Sequence, residues 1–268
     1  MRFLYWNINK KNLALKIANA SIENLVDVII LSEYENIDIE YLKRKLHNEN
    51  LKFVEERINP KSRLLLLRKE NKHLKVIKEK PYYSVYKIRT NNDFILLFGI
   101  HFPSRMQLDT NTLNMKAAKT VAEIQSDEKE YDCIKSILVG DFNMNPFNLG
   151  MISPLGFNAV MSKEIASKKS RRFLYSEEKY FYNPMWHLMG NDNNICKGTM
   201  YYSQDENSFF WHTFDQVIMR PELIENFNLS ELKILNSINN ESLLKEEGIP
   251  DKKISDHLPI VFELNLEG

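Results

Sequence analysis

The amino-acid sequence predicts a layered α/β fold, in which helices cover buried β-strands. The first observation behind this prediction is a series of short, nearly continuous apolar runs rich in Ile, Val, Leu and Phe. Runs of this length and composition are typical of strands that are buried on both faces. They cover residues 3–6, 28–31, 64–67, 94–100, 137–139 and 260–262.

The second observation is the spacing of apolar residues between these runs, which predicts two amphipathic helices. The first helical stripe consists of Ala14, Ile17, Ala18, Ser21, Ile22 and Leu25. The second consists of Leu113, Ala117, Val121 and Ile124, and Asp109 is its predicted N-cap. Residues 161–212 are polar and aromatic with weak periodicity, and we interpret them as long excursions from the core. Because no repeat or Gly/Ser/Pro linker interrupts the chain, we expect one domain over residues 1–268.

The composition excludes several classes of protein. The 268 residues carry 36 Lys+Arg and 36 Asp+Glu, a formal net charge of +0, and 43% of them are hydrophobic. Such a chain is globular rather than disordered or collagen-like. Its longest apolar run is too short to cross a bilayer, and its balanced charge disfavours a protein that coats nucleic acid by bulk electrostatics. With two isolated cysteines and no signal-peptide pattern, we expect a cytoplasmic location and no membrane insertion.

Polar residues mark the ends of the apolar runs. Four runs are followed by a polar side chain, in order Asn7, Glu33, His101 and Asp141. Two further polar groups instead precede an apolar run, and these are Asp215 and the pair Asp256 and His257. For all of them to meet at one edge, the last two strands must run opposite to the others. The sequence therefore predicts a mixed sheet or sandwich with one polar rim.

These residues form an oxygen-rich set without sulfur, which suits Mg²⁺ or Mn²⁺ better than Zn²⁺. Asp141 and Asn143 are two positions apart, so in extended backbone both side chains point the same way. A carboxylate beside an amide can deprotonate and orient a water molecule. His257 can donate a hydrogen bond to a developing negative charge if Asp215 holds its other ring nitrogen.

The same residues carry a resemblance to a known family. The motifs are Trp6-Asn7-Ile8, Ser32-Glu33, His101-Phe102-Pro103-Ser104, Gly140-Asp141-Phe142-Asn143, Phe214-Asp215-Gln216 and Ser255-Asp256-His257-Leu258-Pro259. In this order they resemble the endonuclease/exonuclease/phosphatase superfamily, the group of deoxyribonuclease I, abasic-site endonucleases, sphingomyelinases and inositol-polyphosphate 5-phosphatases. The resemblance covers residues 2 to 264. It implies a four-layer α/β sandwich, with two mixed β-sheets packed face to face and helices outside, and Mg²⁺-dependent hydrolysis of a phosphoester.

The resemblance also implies a role for each matching residue. Glu33 would be the chief metal ligand, with Asn7 and Asp256 beside it. Asp141 would activate the attacking water and Asn143 would orient it. His257, paired with Asp215, would stabilise the negative charge of the transition state. His101 would contact the phosphate or assist the leaving group. Ser104 and Arg105 would bind the substrate. One departure is Asn9, which stands where abasic-site endonucleases have an Asp. This removes one carboxylate and weakens the expectation of a second metal ion.

Each residue taken alone has a simpler interpretation. A single Asp or Glu at a strand end is more often a cap or turn residue, and only the ordered combination favours a catalytic site. His47, His73, His187 and His212 match no motif and are interpreted as surface or core residues. No G-x-S-x-G elbow and no P-loop occurs in the sequence.

The substrate is predicted from the segment after Asn143. Residues 163–172 hold five cations and one acid, and aromatic residues follow them, of which Trp211 is the predicted stacking side chain. The leading hypothesis is therefore a nuclease that hydrolyses a DNA or RNA backbone, with nucleic acid as its partner. One alternative is a phosphatase or phosphodiesterase for a small or lipid-linked phosphate, such as an inositol phosphate, a nucleotide or a sphingomyelin-type lipid. Another is a non-catalytic binding module. The sequence identifies no particular protein partner and leaves open whether one exists.

Overall fold

The structure is a computed structural model, and it describes residues 1–91, 93–104, 109–190, 194–203 and 210–266. Its strands are β1 (Arg2–Asn7), β2 (Val28–Ser32), β3 (Phe53–Glu55), β4 (Leu64–Lys69), β5 (Leu74–Glu79), β6 (Tyr83–Arg89), β7 (Phe94–His101), β8 (Ser136–Asp141), β9 (Ala159–Val160), β10 (Ser170–Phe173), β11 (Ser176–Lys179), β12 (Phe181–Tyr182), β13 (Met200–Tyr201), β14 (Trp211–His212), β15 (Asp215–Met219), β16 (Phe227–Ile234), β17 (Ser237–Ile238), β18 (Glu241–Ser242) and β19 (Ile260–Leu264). Its α-helices are α1 (Ala14–Glu23), α2 (Ile39–Asn48), α3 (Thr110–Glu130), α4 (Leu149–Ile152) and α5 (Lys163–Ala166). Two 3₁₀ segments cover Pro184–His187 and Pro221–Asn226.

Most strands belong to two large mixed sheets. The six-stranded sheet has the order β16-β19-β1-β2-β4-β3, and the seven-stranded sheet has the order β5-β6-β7-β8-β15-β12-β9. Parallel pairs lie at the centre of each sheet, β1 with β2 and β7 with β8. As predicted from the polar residues, β19 runs antiparallel to β1 and β15 antiparallel to β8.

The alternation of side chains along the strands builds the layers. In β1, Phe3 and Tyr5 point into a core shared with Leu97 and Val139 of the other sheet. Their neighbours in β1 point the opposite way, into a second core under α1 and α2. The outer face of the seven-stranded sheet packs against α3 through a third core. Helices therefore lie outside two sheets that pack face to face, which confirms the predicted four-layer α/β sandwich.

The helix predictions hold with one difference. The buried residues of α1 include Ala14, Ile17 and Ala18, and the Asp109 side chain caps α3 by accepting from Thr112 N at 3.0 Å. Leu25, however, lies beyond the end of α1 with φ 54° and is 65% exposed. Because α1 ends at Glu23, Leu25 no longer follows the helical spacing and does not lie on the buried face.

Residues 161–212 are only partly an excursion from the core, which corrects the prediction. The segment supplies β12, which pairs with β15 inside the seven-stranded sheet, and Phe181 of β12 is completely buried. The segment also contains the β10–β11 hairpin and the β13–β14 pair. A two-residue strand is too short to show periodicity in sequence, so its burial could not be predicted from the pattern.

No helix among the described residues combines the length and the apolar character needed to cross a bilayer. Both cysteines, Cys133 and Cys196, are buried as free thiols. The single domain and the cytoplasmic location stay predictions.

Candidate active site

Strand pairing brings the polar strand ends to one edge of the sandwich. In the six-stranded sheet, Asn7 pairs with Ser32 at the ends of parallel β1 and β2, and Glu33 follows directly. In the seven-stranded sheet, His101 and Asp141 are Cα partners at the ends of parallel β7 and β8. Because β15 is antiparallel to β8, its first residue, Asp215, lies opposite Asp141.

The backbone at two of these strand ends adopts the left-handed conformation, with φ 48° at Glu33 and 50° at Asn143. At Asn143 this bends the chain so that its N–H donates to Asp141 Oδ1 at 2.8 Å. The Asn143 amide nitrogen donates to Phe102 O at 2.9 Å, which leaves the side-chain oxygen as its acceptor. These contacts fix the carboxylate of Asp141 and the amide of Asn143 relative to each other.

Asp215 and His257 form a buried pair at the centre of the site. His257 Nδ1 lies 2.8 Å from Asp215 Oδ2, and the two side chains are 8% and 0% exposed. Burial alone would lower the pKa of His257, but the charge and hydrogen bond of Asp215, together with the charges of Asp141 and Asp256, raise it to about 10. His257 is therefore an imidazolium at neutral pH. Its Nδ1 donates to Asp215, and the Nε2 proton is left for a ligand.

Asp141 lies beside this pair and is itself buried. Ligand atoms of Asp141, Asp215 and His257 all lie within 4.8 Å of one another. Burial raises the pKa of Asp141 to about 6; the charge of His257 counteracts this rise, and the charge of Asp215 adds to it. Above that pH the Asp141 carboxylate is ionised and can accept a proton. It then lies close to the positively charged imidazolium of His257.

Glu33 supplies the fixed negative charge of the site. Its Oε1 lies 3.7 Å from His101 Nε2, an ion-pair distance, and 3.3 Å from the Asn7 amide nitrogen. The contact with His101, together with the hydrogen bond from Asn7, lowers the pKa of Glu33 to about 2 against the opposing effect of burial. Glu33 is consequently ionised throughout the neutral range.

Several features of the site fit a divalent cation. The Asn7 amide nitrogen donates to two carboxylates, at 3.3 Å from Glu33 Oε1 and 3.2 Å from Asp141 Oδ2, so two negatively charged groups lie on either side of it. Asp215 Oδ1 is buried without a hydrogen-bond partner among the described residues. Oxygen donors of this kind suit Mg²⁺ or Mn²⁺. The predicted ligands Asn7 and Glu33 are in contact, and Asp256 lies with Glu33 in the wall of one cavity.

The site opens into a cavity of about 1080 Å³. Glu33, His101, Asp141, Asn143, Asp256 and His257 line it, together with Ser104. Sequence reasoning missed two parts of the wall. One is the loop 57–63, which contributes Arg57, Lys61 and Arg63, and the other is an aromatic wall made of Tyr202, His212 and Phe214.

The predicted stacking residue is not the aromatic side chain that lines the cavity. Trp211 does not line the cavity among the described residues; its ring packs edge-on against Tyr201, with 5.4 Å between the ring centroids. The neighbouring His212 does line the cavity, where it is buried and stacks on Phe214 at 4.7 Å. Arg105 lies outside the described residues.

The basic segment 163–172 does not face the site, contrary to the prediction. Asp215 begins β15 at the site edge, and Met219 ends β15 at the opposite edge, where it pairs with Tyr182. The hairpin β10–β11 leads directly into β12 and is held there by Arg220, whose guanidinium donates to Tyr180 O at 3.1 Å. Arg171 and Arg172 also lie across from Glu178 and Glu177, which neutralise part of the positive charge.

Comparison with known proteins identifies the fold. Neither a protein-family model nor a curated protein matches this sequence. Among solved structures, the endonuclease domain of the TRAS1 retrotransposon matches with a TM-score of 0.57 and 12% identity, over 100% of this chain and 99% of that one. The AP endonuclease of Archaeoglobus fulgidus matches with a TM-score of 0.57 and 12% identity, over 99% of each chain. Truncated TDP2 of Caenorhabditis elegans matches with a TM-score of 0.57 and 14% identity, over 98% of this chain and 97% of that one.

The chain has the deoxyribonuclease I-like fold. This agrees with the resemblance drawn from the ordered motifs, and the coverage shows that both sheets take part in the match. At such low identity the similarity establishes the fold alone.

Proposed function

We propose that this chain is a divalent-metal-dependent phosphodiesterase that hydrolyses a nucleic-acid backbone by in-line attack of water. The observation that carries the proposal is the group of Asp141, Asp215 and His257, with ligand atoms within 4.8 Å of one another, beside the ionised carboxylate of Glu33. This arrangement supports the proposed roles of a base, a charged proton donor and a cation-attracting carboxylate.

The attacking water is deprotonated by Asp141 in this proposal. The pKa of about 6 matches a general base that works at neutral pH, because the carboxylate is mostly ionised yet still basic enough to accept a proton. Asn143 orients the same water through its side-chain oxygen, since its nitrogen is held by Phe102 O at 2.9 Å.

The negative charge that develops on the phosphoryl oxygens is met by His257. Its imidazolium is present before substrate binds, so no reorganisation is needed during the reaction. Asp215 acts through His257 by holding Nδ1 at 2.8 Å and maintaining the charge. His101, next to Glu33 on the cavity wall, is placed to contact the phosphate or the leaving group.

Glu33, Asn7 and Asp256 would hold the metal ion. When bound, Mg²⁺ or Mn²⁺ would supply Lewis-acid polarisation of the phosphoryl group. Glu33 is suited to this because it stays ionised down to a pH of about 2.

The proposed function is tested with purified protein and labelled single- and double-stranded DNA and RNA. We expect cleavage with Mg²⁺ or Mn²⁺, none with EDTA, and losses of about 10²–10⁴-fold in rate for Asp141→Ala and His257→Ala. Lys168→Ala, in the hairpin region away from the site, is the matched control and should keep wild-type activity. Cleavage that persists in EDTA or in both catalytic variants would contradict the proposal.

A second candidate is a phosphatase for a terminal or small phosphate. One structural neighbour, NExo from Neisseria, is described as a 3′ phosphatase bound to product DNA, with a TM-score of 0.57 and 11% identity. A screen with 3′-phosphorylated oligonucleotides, inositol phosphates, nucleotides and sphingomyelin distinguishes the two. Release of inorganic phosphate, or of phosphocholine from sphingomyelin, without strand cleavage would favour this second candidate.

A further inference from the structure

The loop between β3 and β4 concentrates the positive charge of the cavity wall. We call residues 57–63 the cationic loop; its basic residues are Arg57, Lys61 and Arg63. They are three of the four lysine and arginine side chains that line the cavity among the described residues, the other being Lys10. Lysine and arginine are mostly exposed in any folded protein, so the sequence alone gave no reason to connect these residues with the site.

Contacts with both sheets hold the cationic loop in one conformation. Glu79, at the end of β5 in the seven-stranded sheet, accepts from Ile58 N at 3.1 Å and from Asn59 N at 2.9 Å. From the six-stranded side, Tyr34 donates its hydroxyl to Ser62 O at 2.6 Å. The Arg57 guanidinium donates to Pro60 O at 3.3 Å across the loop. A loop fixed in this way loses little conformational entropy when it binds a ligand.

Two of the three charges remain available to a ligand. Arg57 forms an ion pair with Glu55, whereas Lys61 is exposed and has no acidic partner among the described residues. Arg63 is also exposed, and its guanidinium lies over the Tyr82 ring, 5.6 Å from the centroid. Neither Lys61 nor Arg63 forms a salt bridge within the part of the chain that the structure describes.

The cationic loop and the aromatic wall lie on opposite sides of the catalytic residues. The loop leads into β4, whose first residue, Leu64, pairs with Ser32 next to Glu33. Tyr202 of the aromatic wall directly follows β13, whose first residue, Met200, forms a bridge with His257 just before β19. In the six-stranded sheet β4 and β19 flank the β1–β2 pair on either side. A ligand centred on Glu33 and Asp141 therefore has cations on one side and rings on the other.

We propose that the cationic loop binds a phosphate adjacent to the scissile one, through Lys61 and Arg63. The inference rests on the proposed function and refines it. The preferred substrate is a nucleic-acid strand that continues for at least one phosphate beyond the cleaved linkage, with a base or sugar against Tyr202 and Phe214. A small phosphoester with one phosphorus fills the catalytic centre and leaves the loop unoccupied. This places the backbone contacts at residues 57–63 instead of residues 163–172.

Binding tests the inference independently of catalysis. The probe is a fluorescent single-stranded oligonucleotide, titrated by anisotropy with protein carrying Asp141→Asn in the presence of Mg²⁺. In this background we expect Lys61→Ala with Arg63→Ala to weaken binding by about tenfold or more and to lower the slope of log Kd against log salt by about 0.7, because the single strand loses one neutralised phosphate. The matched control is Lys168→Ala with Arg172→Ala, two exposed cations at the opposite edge, which should change neither quantity.

Other outcomes would overturn the inference. An unchanged Kd and salt slope for the loop variant would show that the loop does not bind the backbone. Weakening by the control pair equal to that by the loop pair would indicate nonspecific charge attraction. Circular dichroism and urea unfolding establish that both double variants fold like the parent chain.

Hydrolysis separates this inference from the proposed function. With Asp141 intact, the loop variant should raise KM for an oligonucleotide while leaving kcat/KM for bis(p-nitrophenyl) phosphate within about twofold of wild type. Equal losses on both substrates would contradict the inference. If wild-type protein hydrolyses neither substrate but binds the oligonucleotide through the loop, the proposed function fails and the binding inference stands.

Discussion

The pairing of Asp215 with His257 sets the charge of the site at the level of single residues. An imidazole buried in protein loses its proton more readily than in water, because burial disfavours the charged form. Three carboxylates around His257 reverse that effect and raise its pKa to about 10. Burial disfavours the charged form of Asp141 as well, and because that form is an anion, burial raises its pKa, to about 6. One site thus contains an acid and a base whose pKa values are moved apart.

This separation predicts a bell-shaped dependence of activity on pH. Activity should fall as pH drops below about 6, because Asp141 takes up a proton and cannot accept another from water. A bound cation favours the ionised carboxylate, so the acid midpoint with Mg²⁺ should lie at or below this value. Activity should also fall as pH rises towards 10, because His257 loses its charge. The measurement is kcat/KM against pH with saturating metal.

The variant Asp215→Asn provides the comparison. Without the Asp215 charge the pKa of His257 should fall, so the alkaline limb should move to lower pH. The acid limb should move less, because burial is the main cause of the raised pKa of Asp141 and the Asp215 charge only adds to it. A wild-type rate that does not fall at any pH down to about 4, the ordinary pKa of an aspartate, would be inconsistent with the buried Asp141 as the base. Glu33 does not produce the acid limb, because its pKa of about 2 keeps it ionised.

At the scale of elements, the close approach of β7 and β8 controls where Asp141 lies. A Cβ added at Gly140 would sit 1.9 Å from Ile100 O on β7, so glycine is required there. Because Asp141 is the next residue, any side chain at Gly140 would displace the carboxylate from the His257 pair.

Helix α3 is fixed to the seven-stranded sheet by a buried ion pair. Arg220, directly after β15, donates to Glu128 of α3 through Nε at 2.8 Å and Nη2 at 2.9 Å. Both side chains are 2% exposed, and the guanidinium also stacks on Phe181 at 3.7 Å. The pair connects α3, β15 and the segment leading into β12, at the edge opposite the site.

Breaking this pair should destabilise the fold without touching the site. We expect Glu128→Gln to lower the free energy of unfolding by roughly 3–5 kcal/mol, because Arg220 is left buried with an uncompensated charge. The measurement is urea unfolding at neutral pH. Glu130→Gln is the control, since its ion pair with Lys78 is on the surface and should contribute less than about 1 kcal/mol. Equal effects of the two variants would contradict a special role for the buried pair.

At the scale of the whole molecule, the site is divided between the two sheets. Asn7 and Glu33 come from the six-stranded sheet, whereas His101, Asp141 and Asp215 come from the seven-stranded sheet. The hydrogen bond from Asn7 to Asp141, at 3.2 Å, crosses between them. A cation held at this junction would bind the folded chain and not the unfolded one.

Metal binding should therefore raise the thermal stability of the protein. At about 100 times its Kd, Mg²⁺ should add about 2.7 kcal/mol, and Tm should rise by several degrees. Glu33→Gln should abolish the increase. Glu35→Gln is the matched control, because this exposed acid lines the same cavity two residues away and should retain the response. An identical metal response in the Glu33 variant would contradict Glu33 as a ligand.

The fold was largely predictable because its information is local. The buried strands show in sequence as apolar runs, and residues such as Asp109 mark a helix start by their own side-chain chemistry. The predictions for Leu25 and Phe181 were wrong because their burial does not depend on local sequence. The end of a helix and a two-residue strand are decided by contacts with residues that are distant in the chain.

By itself, the sequence determined the α/β class, the directions of the strands, and the polar residues that end them, from Asn7 to His257. It did so because burial imposes a pattern on each strand and because the polar residues interrupt that pattern in a recognisable order. Only the tertiary structure decided which cations face the site. Charge is equally visible at residues 57–63 and 163–172, but strand pairing places the first segment beside Glu33 and the second beyond Met219. Which edge of the sandwich a loop occupies is set by long-range pairing, which no local pattern records.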